Sequence, residues 1–178
     1  MSNKVYIATS IDGFIAKKNG DINWLMDVPN PEGSDFGFNE FMNSVDAIVM
    51  GRLTYEQVLK FSEWPYNKPV FVLSSTLKSV PEFLNDKVNI IKGNPKSIIE
   101  KLNSMKYSNL YIDGGKTVQE FLKEDLIDEL IITRISILLG DGIPLFSKLI
   151  NDQKYEHLAT EIFNNTLVKS HYKRIRNK

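Results

Sequence analysis

A chain of 178 residues with 42% hydrophobic and 25% charged residues has enough apolar material for one packed core, and a single domain over 1–178 is expected. Lys+Arg and Asp+Glu balance at 22 each, so no basic field argues for nucleic acid or an anionic membrane, and the basic ending "HYKRIRNK" reads as a solvated terminus. Without cysteine, and with only His157 and His171 as histidines, the chain excludes thiolate nucleophiles, disulfide frameworks, iron–sulfur clusters and Cys-type zinc sites, and no metal is expected.

"KVYIATS" (4–10) has the pattern of a first strand, and 11–35 has the Gly, Asn, Asp and Pro density of a long functional loop. A short helix is predicted over 34–45, with Ser34 or Asp35 near its N-cap. "AIVMG" (47–51) is a buried strand and 53–61 a helix. Strands follow at 69–74 and 88–93, then a capped helix at 94–105 with Pro95 in its first turn. A strand at 109–113 leads into a Gly-opened helix at 114–124. A long strand covers 127–139, and two strands over 155–175 flank a turn at Asn164-Asn165. No run is long and apolar enough for a signal peptide or a bilayer span, so a cytoplasmic setting is expected. Strands alternating with helices, then strands alone, predict an α/β fold: a mostly parallel central sheet with antiparallel C-terminal strands. Ligands in such sheets bind beyond the carboxyl ends of the strands.

Three strand ends carry anion-friendly chemistry. In "MGRLTYE", Gly51 permits close approach to the backbone, Arg52 supplies a fixed cation and Thr54 a hydroxyl. A plain turn with a surface arginine explains these residues equally well. "VLSST" ends in Ser74 and Ser75, suited to a phosphate monoester but also common in loops. "YIDGGKTVQEFL" places Gly114 and Gly115 at a helix start, where exposed N–H groups suit a diphosphate. Each signal is weak alone; the three in one sheet reinforce one another.

In order along the chain, "ATSIDGFIA", "INWL", "DAIVMGRLTYE", "VLSST", "YIDGGKTVQEFL" and "DELIITRISILLGDGIPLF" resemble the dihydrofolate reductase superfamily, including the reductase domain that ends the riboflavin-pathway deaminase/reductase (the RibD C-terminal domain), here in stand-alone form. The resemblance covers nearly the whole chain and implies a three-layer dihydrofolate reductase-like fold that binds NADPH. By position, it assigns Gly51, Arg52 and Thr54 to the cofactor diphosphate and ribose, and Ser74 and Ser75 to the 2′-phosphate. It assigns Gly114, Gly115, Lys116 and Thr117 to the glycine turn, and Ala8, Ile15 and the loop through Gly20 to the nicotinamide cover. Asp35 falls where dihydrofolate reductase holds its pterin with a carboxylate, and Thr133 where a threonine assists it; a helix cap is the competing reading for Asp35. Trp24 either lines the cleft or packs in the core. Asp12, in "SIDGF", has a counterpart in the family, and a turn role beside Gly13 accounts for it at least as well.

Two departures bear on the substrate. The basic helix before "DAI" and the acidic "DDP"-like stretch of the riboflavin-pathway reductases are absent, and so is the deaminase half. The resemblance implies an NADPH-dependent reductase of a small heterocycle, 5-amino-6-(5-phosphoribosylamino)uracil first, with dihydrofolate as the alternative. A nucleotide-binding protein without catalysis, or a relative that has lost the cofactor, stays open. The resemblance also implies a homodimer.

Overall fold

The computed structural model of the chain describes residues 1–176. Eight strands form one sheet in the order β5-β4-β3-β6-β1-β7-β10-β9. Its parallel part comprises β1 (Ser2–Ser10), β3 (Ala47–Gly51), β4 (Val70–Leu73), β5 (Val88–Ile91), β6 (Asn109–Asp113) and β7 (Glu129–Ile135). β9 (Tyr155–Phe163) and β10 (Leu167–Arg174) extend it antiparallel. The expected α/β architecture, mostly parallel with antiparallel C-terminal strands, is what forms. Ala47, Ile48, Val49 and Met50 are all fully buried, because β3 lies mid-sheet with helices over both of its faces.

Helices α2 (Phe38–Asn43) and α3 (Arg52–Val58) cover one face, packing Phe41, Met42 and Tyr55 on Ile48, Met50 and Val72. α4 (Pro95–Ser104) and α5 (Gly115–Lys123) cover the other, with Leu102, Val118 and Phe121 against Val49, Ile112 and Leu130. A fully buried side chain of this kind contributes roughly 1.5–3 kcal/mol by its removal from water. Neighbouring strands β3 and β6 are thus followed by helices on opposite faces, which opens a crevice at their carboxyl ends.

Several elements are shorter than predicted, for local reasons. The 11–35 loop contains β2 (Phe14–Ala16) and the one-turn helix α1 (Asn23–Met26). β2 pairs with β8 (Ile143–Pro144), outside the main sheet. β7 stops at Ile135 instead of residue 139, because the chain folds back there: Ile137 N–H donates to the Ile135 carbonyl at 2.7 Å. The Asn164-Asn165 turn forms with both residues at positive φ (51° and 53°), the geometry two-residue hairpins favour.

The basic ending departs from expectation. Lys173 and Arg174 belong to β10, and Arg174 Nε lies 2.7 Å from Asp125 Oδ1. Arg176 pairs with Asp125 and Asp128. Both arginines are therefore paired with carboxylates instead of being solvated, while Lys173 is exposed; residues 177 and 178 lie outside the described residues. Among the described residues no helix is long and apolar enough to cross a membrane.

Candidate functional site: a cleft at the strand ends

A cleft of about 1210 Å³ opens at the carboxyl ends of β1, β3, β4 and β6. β3 delivers Gly51, with Arg52 and Thr54 following on α3; β4 delivers Leu73 and then Ser74 and Ser75. β6 delivers Asp113 and Gly114, with Gly115, Lys116 and Thr117 opening α5. Ala8 on β1 and Ile15 on β2 line the same space, as does Gly20 farther along the loop. All eleven residues assigned above to a cofactor therefore border one cavity. Sequence spacing alone could not show that convergence; the strand order produces it.

The glycines are packed to their limits. A Cβ on Gly51 would stand 2.9 Å from Thr117 Oγ1, and one on Gly114 only 2.1 Å from Thr54 Oγ1. Gly114 also has φ +88°, which side chains rarely adopt. These close approaches bring the starts of α3 and α5 together, with Thr54 and Thr117 both on the cleft wall. Arg52 Nη1 lies 2.6 Å from Glu56 Oε1, so the cation is held along α3 while remaining partly exposed. At the far end Gly93, Asn94 and Pro95 bring the start of α4 beside Ser74 and Ser75. There the Ser74 hydroxyl accepts from Leu77 N–H at 2.8 Å, which orders the "SST" turn.

The substrate-side assignments are placed differently. Asp35 is exposed and does not border the cleft. Its Oδ1 accepts from Gly37 N–H at 2.9 Å and its Oδ2 from Asn39 N–H at 3.0 Å, bonds that hold its carboxyl below the usual carboxylate range. Gly37, in the left-handed conformation, is the N-cap of α2, so Asp35 caps from two residues farther out. Of the two readings of this residue, the geometry is that of the cap. The Asp35→Ala variant is expected to melt a few degrees lower with unchanged cofactor affinity, read by thermal unfolding and titration.

Trp24, 5% exposed, packs with Ile135 and Leu167 in a separate apolar cluster, so it takes the core reading. Thr133 is buried on β7, paired with Ala8 of β1 and Lys169 of β10. Where a pterin carboxylate was expected, the Tyr6 hydroxyl (2.8 Å) and Lys169 ammonium (2.9 Å) both donate to the Phe36 carbonyl. That corner is occupied by the protein's own polar groups.

Asp113 is the residue sequence reasoning passed over. It borders the cleft where β6 meets the glycine turn; burial pushes its carboxyl up to about 6, against the hydrogen bonds from Gly114 N–H (2.8 Å) and the Tyr66 hydroxyl (3.5 Å). The signal was present: an acid two residues after Tyr111 shares its sheet face, at the last position of an otherwise apolar central strand. A strand end bearing a charge that packing does not need points to chemistry.

Asp12 organises the cover. Its carboxylate accepts from Leu139 N–H (3.2 Å), Gly140 N–H (2.8 Å) and the buried Ser10 hydroxyl. Asp12 therefore does more than shape the turn beside Gly13: it ties the covering loop to the segment after β7.

The RibD C-terminal domain family model matches residues 4–170. The chain is 40% identical to the uncharacterized protein YwjB of Bacillus subtilis (strain 168) over 173 residues, 96% of each chain. Among solved structures, a Shewanella sp. PV-4 protein provisionally named for riboflavin biosynthesis superposes with a TM-score of 0.94 at 50% identity, covering 99% of this chain and all of that one. Dihydrofolate reductase from Enterococcus faecalis, solved with NADP(H), shares the fold at a TM-score of 0.63 and 19% identity, with 97% of this chain and 96% of that one covered. The fold is therefore dihydrofolate reductase-like, and the chain belongs to the RibD C-terminal domain family.

Proposed function

We propose that the chain is an NADPH-dependent reductase of a small nitrogen heterocycle, in the class of 5-amino-6-(5-phosphoribosylamino)uracil. One observation carries the reading: a single cleft joins cation, hydroxyl and glycine groups from three strand ends to a carboxyl whose proton affinity is raised toward neutrality. Its volume exceeds the roughly 300–1,000 Å³ of a typical ligand pocket, which suits a dinucleotide together with a second small molecule. The donor set fits the cofactor. Ser74 and Ser75 would hold the 2′-phosphate end, and Arg52, Thr54, Thr117 and the Gly114-Gly115 turn the diphosphate and ribose. Bound there, the nicotinamide supplies hydride.

The chain's own residues do the rest. Asp113 gives a proton to the substrate atom adjoining the reduced carbon, a role matched by its raised proton affinity. Ile15 and the loop to Gly20 exclude water from the reacting atoms. Dihydrofolate is the weaker substrate, because Asp35 is exposed and its carboxylate is already engaged by the Gly37 and Asn39 N–H groups. A binding protein without catalysis would have no use for a costly carboxyl at the glycine turn.

The test is stabilisation by cofactor followed by turnover. NADPH at saturation is expected to raise the melting temperature more than NADH does. Arg52→Ala is expected to weaken NADPH and NADH alike, about tenfold or more, since a charge-assisted bond of roughly 1.5–3 kcal/mol to the shared diphosphate is lost, whereas Ser75→Ala should weaken NADPH alone. Turnover is then followed by loss of reduced nicotinamide absorbance with the ribosylaminouracil phosphate. Stabilisation by neither cofactor would remove the proposal.

A further inference from the structure

The segment from 59 to 69, "LKFSEWPYNKP", joins α3 to β4 and sends Lys60, Phe61 and Tyr66 to the cleft. Nothing assigned so far explains why it carries two aromatic residues around a proline. The rings are built into a ladder. Trp64 lies edge-on to Tyr55 (centroids 6.1 Å, 67°), and Tyr66 lies edge-on to Trp64 (5.4 Å, 80°). Tyr55 is 1% exposed in the core over β3, so this ladder fixes a loop residue to a rigid strand face. Its last rung holds the Tyr66 hydroxyl 3.5 Å from Asp113 Oδ2.

The other carboxyl oxygen, Oδ1, already accepts from Gly114 N–H. Tyr111 stands on the same face, but its single phenol proton goes to the Tyr6 carbonyl at 2.9 Å. Among the charged groups that border the cleft, Arg52 pairs with Glu56 and Lys18 with Asp141. The phenol proton available to Oδ2 is therefore that of Tyr66. At 3.5 Å the bond is long, as such bonds commonly are before a ligand closes the site.

We infer that Tyr66 is a positioning residue of the reducing centre, whose hydroxyl orients Oδ2 of Asp113 and sets the readiness of that carboxyl to part with its proton. The inference rests on the proposed role of Asp113. When Asp113 passes its proton to the substrate, the negative charge left on Oδ2 receives the Tyr66 O–H bond. Water later returns a proton to the carboxylate, and Tyr66 itself keeps its own proton throughout, burial and the nearby carboxylate holding the phenol well above its ordinary range. A donor that strengthens its bond to the ionised acid lowers that acid's proton affinity.

The experiment reads Asp113 directly. With aspartate carboxyls labelled in 13C, and Asp113→Asn assigning the resonance, the titration midpoint is followed by NMR without cofactor or substrate. Tyr66→Phe is expected to raise that midpoint by about half to one pH unit, the size of a modest hydrogen bond to a charged group. Site-specific 3-fluorotyrosine at 66, a more acidic phenol of nearly the same shape, is expected to lower it, and it serves if the Phe variant folds poorly. A midpoint that moves in neither variant overturns the inference, whether or not the enzyme turns over. A midpoint that moves as expected in a protein that reduces nothing would retain the Tyr66–Asp113 contact and refute the proposed reductase instead.

Discussion

Asp113→Asn is expected to lower turnover by about 10²–10⁴-fold and, at the same time, to make the protein more stable above neutral pH. The first effect is the usual worth of a positioned proton donor. The second follows from burial. The folded carboxyl takes up its proton near pH 6, the free one near 3.8, so between these values the folded state binds the proton more tightly. The stabilisation this gives is complete below about 3.8 and disappears as the pH rises through 6, where holding an ionised carboxyl in the cleft becomes a burden. Asparagine carries no such charge and can still accept from Gly114 N–H. Allowing for partial solvent access, the gain at pH 8 is about 2 kcal/mol, a rise in melting temperature of roughly 4–8 °C, with no gain near pH 4. Calorimetry at the two pH values, beside steady-state rates, checks both. Equal turnover in the variant, or equal stabilisation at both pH values, would rule out the raised, working carboxyl.

Gly114→Ala is expected to have the largest effect on the cofactor cradle. The backbone there has φ +88° and ψ 136°, a region essentially reserved for glycine, and an added methyl carbon would lie 2.1 Å from Thr54 Oγ1. Strain and clash together cost about 3 kcal/mol, and relief requires α3 and α5 to separate, which splits the Thr54–Thr117 side of the cleft. Melting should fall by roughly 6–12 °C, with NADPH stabilisation lost. Gly115→Ala is the instructive control. Its methyl meets Ile15 Cδ1 at 2.5 Å, the far end of a flexible side chain, and its φ is ordinary for a helix start. Stability should change little, while the displaced Ile15 loosens the cover. Equal destabilisation by the two alanines would contradict the distinction between backbone strain and side-chain crowding.

The sheet was legible because its signals are local. β3 and β4 are unbroken apolar runs, α4 carries its Asn94 cap bonded to Ser97 N–H at 2.9 Å, and the Asn164-Asn165 pair specifies its own turn. The cleft-lining residues at three strand ends were legible from glycine, hydroxyl and arginine placement. What failed depended on contacts distant in sequence. Asp35 is the exception, since its partners Gly37 and Asn39 lie two and four residues on and the cap reading was open from the local sequence. The fate of the basic ending was set by Asp125 and Asp128, about fifty residues earlier in the chain. Asp113 was missed for another reason: attention went to the glycines that follow it, whereas the alternation of β6 had already put the acid on the face of Tyr111.

The pairing of β2 with β8 has a mechanical consequence. Phe14 and Ala16 are joined to Pro144 and Ile143, Leu145 N–H donates to the Gly13 carbonyl at 3.0 Å, and Asp12 grips the backbone of Leu139 and Gly140. The flap over this end of the cleft is thus double-stitched, and 11–16 cannot swing aside without carrying 139–145 along. Entry and exit of whatever occupies the cleft then depend on a piece of chain that ends, through β7, in the middle of the sheet.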